Sequence, residues 1–263
     1  MCTVITKMRN LNEQLILQTL NSAREFISST FPLAYKITFP TVINGLKTGQ
    51  FKVFLEDISQ NDYYKNDEQL KKILDRFTNV DGGAFTMVRR KEDGNPFPQY
   101  DFLTDRFELA LDHPFPTKHT MLFSIEVDFQ DDAQTTFFQF KYQKDQHKYF
   151  PLFALEIRDR SVNFRIRTAK GLQRFSLYEL PKHRRAKQSF SILYTPSTNT
   201  YECFGKAEFP IYPLQSYVRY TEADEGYVKK GGYGEIAFGC YSVVKEKKEE
   251  SVTFSSIAVY ELQ

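Results

Sequence analysis

The sequence has no tryptophan, three cysteines and almost no excess charge, since 35 Lys and Arg stand against 33 Asp and Glu for a net +2. Each shortage excludes something. Without Trp, a flat platform for stacking sugars has to come from Tyr or Phe, which weakens a lectin reading. Cys2, Cys203 and Cys240 are odd in number and lack metal-type spacing, so neither a disulfide framework nor a zinc site is expected. Cys203 and Cys240 lie in apolar strand patterns and read as buried thiols, with a single disulfide between them left open. His113, His119, His147 and His183 fall in or near turns without ligand spacing. No metal and no cofactor is therefore expected. No Ser-His-Asp or Cys-His set has a local signature. Gly231-Gly232-Tyr233-Gly234 is not followed by the lysine-serine pair and helix of a phosphate loop. The near-neutral balance removes any global argument for nucleic acid. No apolar run is long enough for a membrane span. Met1–Asn10 is not followed by an apolar block of signal-peptide type. The expectation is a cytoplasmic protein, or a secreted one if its natural leader is missing.

What the chain does have is 25 Phe and 16 Tyr. Aromatics favour strands, and a chain that is 41% hydrophobic can bury a sizeable core. Asn12–Ser29 reads as an amphipathic helix, and Pro32 lies past its end. Tyr35–Thr41 and Gln50–Glu56 read as strands, separated by a turn at Asn44-Gly45 and Gly49. Asp67–Phe77 reads as a second short helix. From Ala84 on, turn signals recur at short intervals, among them His113-Pro114-Phe115-Pro116, Lys170-Gly171 and Pro196–Asn199. This pattern predicts an all-β fold: an antiparallel β-sandwich, residues 32–263, with an N-terminal helical extension over residues 1–31.

Several segments alternate strictly. Thr104–Asp112 places Phe107, Leu109 and Leu111 opposite Arg106 and Glu108. Ser124–Gln130 sets Ile125, Val127 and Phe129 against Glu126 and Asp128. Thr136–Gln143 sets Phe138, Phe140 and Tyr142 against Gln139 and Lys141. Phe153–Arg158 sets Phe153, Leu155 and Ile157 against Glu156 and Arg158. Ser161–Arg167 sets Val162, Phe164 and Ile166 against Asn163, Arg165 and Arg167. Side chains on a strand alternate between faces. If these strands share a sheet, one face is apolar and the other is a field of Arg, Lys, Glu and Gln.

Three segments carry a resemblance: Arg106-Phe107-Glu108-Leu109, then Phe138-Gln139-Phe140-Lys141, then Ile236-Ala237-Phe238-Gly239-Cys240-Tyr241. In this order they resemble the R-x-E-L, Q-x-H and Y-x-K-x-G-x-Y strands of jelly-roll polysaccharide lyases, the heparin-lyase-like and alginate-lyase-like groups. The resemblance spans roughly Ala84 to Leu262. It implies a concanavalin-like jelly roll, an acidic polysaccharide as partner, and β-elimination of a uronate. It also implies roles. Arg106 and Gln139 would neutralise the uronate carboxylate, Tyr241 would supply acid or base, and Glu108 would hold Arg106. The sequence departs from the pattern where the motif His is Lys141, the motif Lys is Ala237 and the first motif Tyr is Glu235, although Tyr233 is near. Lys141 would enter as a cation, or as a base if neighbouring Arg residues depressed its pKa.

An Arg-rich stretch follows, with Arg158, Arg160, Arg165, Arg167, Lys170 and Arg174, and beyond it Lys182–Lys187. The planar fork of Arg suits carboxylate, sulfate or phosphate. Glu108, Glu156, Arg158, Arg165, Arg167 and Tyr233 are thus the expected substrate-binding set beside catalytic Tyr241, Lys141, Gln139 and Arg106. The bland alternative is a set of cross-strand charge pairs on a solvated face. Two other functions fit the same scaffold: a non-catalytic carbohydrate-binding module, as loss of the motif His and Lys would leave, and a structural or protein-interaction protein.

Overall fold

The computed structural model describes residues 32–55, 66–78, 81–93, 106–129, 133–145, 148–182, 186–209, 213–222, 232–242 and 249–262. The expected helix over Asn12–Ser29 lies outside these residues. The described chain opens with β1 (Leu33–Ile37), α1 (Phe39–Lys47), β2 (Phe51–Phe54), α2 (Asp67–Leu74), β3 (Phe77–Thr78) and β4 (Phe85–Arg89). A run of long strands follows: β5 (Arg106–Pro116), β6 (Thr120–Phe129), β7 (Thr135–Asp145), β8 (Lys148–Arg158), β9 (Ser161–Thr168) and β10 (Gly171–Glu179). The chain then runs through β11 (Gln188–Thr195), β12 (Thr200–Ala207), β13 (Leu214–Thr221), β14 (Tyr233–Ser242) and β15 (Glu250–Leu262).

These strands form two antiparallel sheets. One runs β13-β12-β11-β6-β15-β4-β3, with β1 also on β15, and the other runs β10-β9-β8-β7-β14-β5-β2. The late strands insert between early ones: β14 between β5 and β7, and β15 between β6 and β4. This is an antiparallel β-sandwich of jelly-roll type, as the spacing of short alternating strands predicted. The apolar faces meet in an aromatic core. Phe123 of the first sheet packs on Phe138, Phe140 and Phe153 of the second, with ring centroids 5.1 to 5.9 Å apart. Edge-to-face and offset contacts of this kind add to the burial of apolar area. Cys203 and Cys240 are buried free thiols on strands of different sheets, so the disulfide alternative is closed.

Five expectations are corrected. The predicted strand over Tyr35–Thr41 stops at Ile37, and the predicted turn at Asn44-Gly45 is helical. Pro40 sits in the first turn of α1, where a missing N–H costs nothing, and Val42, Gly45 and Leu46 face the core. Gly45 is there because the Phe51 ring lies 2.5 Å from where a Cβ would be. α2 ends at Leu74, short of the expected Phe77. Phe77 instead joins β3 and packs edge-on against Phe107 at 5.5 Å. The expected turn at His113–Pro116 is strand: β5 continues to Pro116 by pairing with Tyr233, and a bulge opposite Gly234–Ile236 takes up the extra residues around Pro114. Finally, the five alternating segments do not share one sheet. β6 belongs to the other layer, which removes Glu126 and Asp128 from the polar face.

Candidate functional site

The polar face of the second sheet can be read row by row from its register. Arg106 lies opposite Tyr241, Tyr241 opposite Thr136 and Thr136 opposite Glu156. One step along, Lys52, Ala110, Ala237, Gln139, Ala154, Arg165 and Arg174 are successive partners across all seven strands. The next step pairs Glu235 with Lys141. Arg106, Tyr241, Gln139, Lys141, Glu156 and Arg165 therefore share this face, but it is not a solvated field of charge. Its deep half is buried.

Glu108 is the centre of that half. It is 1% exposed and accepts hydrogen bonds from Gln139 Nε2 at 2.6 Å, Lys141 Nζ at 3.1 Å and Arg106 at 3.4 Å. A buried carboxylate needs such partners, because desolvation penalises an unpaired charge. Arg106 lies over the Tyr241 ring, 4.2 Å from its centroid. Lys141 Nζ lies 4.7 Å from the centroid of Phe54, and Arg106 also faces that ring at 5.8 Å. Phe54 packs with Ala110 and Ala237 in a small apolar patch. The space above Ala237 is therefore occupied by an aromatic ring.

Beside this knot, Lys52 Nζ is 3.3 Å from both Glu235 and Asp112. Burial is the main influence on Glu235 and pushes its carboxyl above the ordinary range, with the Glu108 charge adding. Lys141 and Lys52 pull the other way. Lys141 and Arg106 share Glu108 Oε2, and Glu235 is the register partner of Lys141 on β14.

The open half lies toward β8, β9 and β10. Glu156 is fully buried and is gripped by Arg165 at 3.1 Å and Arg174 at 2.5 Å. Burial lowers the Arg165 pKa and Glu156 opposes the shift. Tyr241 opposes it in the same direction as Glu156. Arg167 continues the same face of β9, opposite Leu172. Two expected members stand apart. Arg158 is exposed and pairs loosely with Asp159 of its own turn at 3.9 Å. Tyr233 is half exposed, opposite Pro116, at the other end of β14 from Tyr241.

Gly239 positions Tyr241. Its φ is +140°, and a Cβ there would lie 2.3 Å from the Phe107 carbonyl oxygen. It falls within the β14–β7 register shift, where β14 carries one extra residue between Phe238 and Tyr241. Phe54, Lys52 and the ionic role of Glu235 were missed from the sequence. Lys52 sits in an alternating strand, which is a signal. Phe54 gives none, because an aromatic in a strand reads as core.

No protein-family model matches the chain, and no curated protein sequence does. Its fold is similar to several solved structures. Family 7 alginate lyase A1-II′ matches with a TM-score of 0.57 at 9% identity, over 84% of this chain and 98% of that one. Alginate lyase AlyC3 matches at 0.54 and 13%, over 86% and 93%. Alginate lyase PA1167 from Pseudomonas aeruginosa matches at 0.53 and 12%, over 80% and 98%. At such identities the likeness establishes the architecture: a jelly-roll β-sandwich of the kind on which polysaccharide lyases are built.

Proposed function

We propose that this chain is a polysaccharide lyase-like protein that binds a uronate polymer across its polar sheet and cleaves it by β-elimination at Tyr241. The observation that carries the reading is the meeting of Arg106 with the Tyr241 ring, beside the buried Glu108 cluster, on a fold shared with alginate lyases. One of those lyases is described in complex with substrate.

Elimination removes the proton on the carbon next to the uronate carboxylate. The electron pair forms a C=C bond, and the C–O bond to the departing sugar breaks. The departing oxygen then takes a proton. Lys141 is held by Glu108 at 3.1 Å, and in this reading it is the cation rather than the base. Tyr241 is the group left to move protons among the described members of the cluster. When both events occur on one face of the ring, a single tyrosine that starts as the phenolate can take the first proton, becoming the phenol, and return it to the departing oxygen. Arg106 beside it supplies positive charge where the carboxylate gains electron density. Glu108 keeps Arg106 and Lys141 in place.

A binding-only reading is favoured by one observation: Gln139 already gives its amide to Glu108 at 2.6 Å, and the motif positions for His and Lys hold Lys141 and Ala237. The test is incubation with alginate and polygalacturonate while following ultraviolet absorbance of the unsaturated product. Absorbance that Tyr241→Phe abolishes, with binding retained, supports cleavage. Retention of polymer without absorbance supports the binding module. Neither signal overturns both.

A further inference from the structure

The outer end of the polar face carries a second charge arrangement that elimination at Tyr241 does not use. Arg165 on β9 and Arg174 on β10 are direct cross-strand partners. Like charges placed opposite each other weaken a sheet. Glu156 of β8 holds the pair apart, with Oε2 3.1 Å from Arg165 and Oε1 2.5 Å from Nε of Arg174. Two guanidinium groups and one carboxylate leave one positive charge uncompensated in the triad. Guanidinium groups do not deprotonate to relieve it. Repulsion from Arg174 and Arg167 acts on Arg165 alongside the loss of its hydration.

The geometry has the form of a socket. Glu156 is completely buried and touches no ligand from that position. Arg165 is mostly buried, while the Arg174 side chain is 43% exposed. Arg174 spends only Nε on Glu156. Among the described residues, no other hydrogen bond engages its terminal nitrogens. The half-exposed side chain thus keeps the second edge of its fork for a carboxylate or sulfate.

Register gives the distance from Tyr241. Three strand spacings, roughly 14 Å, separate β14 from β9. The floor between Gln139 and Arg165 is Ala154, too small to interrupt a chain lying across the strands. A single sugar does not reach from Tyr241 to Arg174, but an extended oligosaccharide does.

We propose that Arg165 and Arg174, clamped by Glu156, form a second anion subsite that takes an acidic group several sugars away from the one at Tyr241. The proposal rests on the polysaccharide reading above and deepens it: the protein selects polymers that are acidic along their length. Arg165 and Arg174 touch the ligand, and Glu156 is a positioning residue.

The test compares wild type, Arg174→Gln and Arg174→Lys for affinity toward alginate, dextran sulfate and neutral dextran at two salt concentrations. Arg174 is half exposed, so its variants fold, and thermal unfolding checks this. The subsite predicts that Arg174→Gln weakens alginate binding about tenfold or more and flattens its salt dependence. Arg174→Lys, which keeps charge but loses the fork, falls between. Alginate binding unchanged in Arg174→Gln overturns the subsite and leaves the uronate reading standing. Arg174-dependent binding of dextran sulfate without binding of alginate keeps the subsite and overturns the uronate reading. Binding to neither acidic polymer overturns both.

Discussion

Glu108 on β5 and Lys141 on β7 make a 3.1 Å ion pair across an intervening strand. β14 lies between them and presents Gly239 opposite Glu108 and Ala237 opposite Gln139. With no bulk at those two positions, the carboxylate reaches over β14 to Gln139 and Lys141. The small residues of the late strand and the buried cluster are therefore one structural feature.

Glu108→Ala is expected to leave Arg106 and Lys141 as buried cations without their shared carboxylate. Breaking a buried pair from one side costs about 3–5 kcal/mol. A urea-unfolding midpoint within experimental error of wild type would contradict the central place given to Glu108.

Ala237→Lys, which restores the residue type of the lyase pattern, meets the Phe54 ring packed on Ala237. Overpacking of this kind costs about 1–3 kcal/mol. Pairing it with Phe54→Ala should recover much of that loss, because the lysine stem then has room. Equal melting temperatures for the single and double variants would show that Phe54 does not fill this space.

Gly239→Ala forces a Cβ into the Phe107 carbonyl at a φ that L-residues avoid. The backbone conformation alone costs about 1–3 kcal/mol, and the clash adds to it because main chain cannot step aside. Gly82→Ala is the control: φ is +59° and nothing lies within 4 Å, so about 1 kcal/mol is expected. The order of the two melting temperatures checks the assignment.

Glu235 has its carboxyl pushed above the ordinary range by burial. Folding then favours its protonated form. Its contribution to stability is fully present below about pH 4.3 and is lost as pH rises through the higher folded value. Glu235→Gln removes this dependence. The stability of wild type minus that of the variant, measured by denaturant unfolding, should fall with rising pH over that window. A difference that grows with pH would mean that pairing with Lys52 outweighs burial.

The strands of the second sheet were legible because parity leaves little freedom. In β7, Phe138 and Phe140 go to the core and Gln139 and Lys141 to the other side, whatever the neighbours. The same rule placed Arg106 with Glu108 and Arg165 with Arg167. It failed at Phe39–Lys47, where β-branched and aromatic residues looked like strand and turn but Pro40, Val42 and Leu46 satisfied a helix against the core. It failed again at His113–Pro116, where two prolines read as a turn and a bulge carried the strand through.

By itself the sequence determined the all-β architecture and which side chains share a strand face, because both follow from a two-residue repeat and the burial of aromatics. Only the tertiary structure decided which strands become neighbours. That choice sent β6 to the opposite layer, set β14 between β5 and β7, and laid Phe54 over Ala237. Pairing between distant strands depends on contacts made across the whole chain, and no local pattern encodes it. The same long-range contacts built a buried ionic knot at one end of the polar face, and at the other an arginine pair of which Arg174 is half exposed.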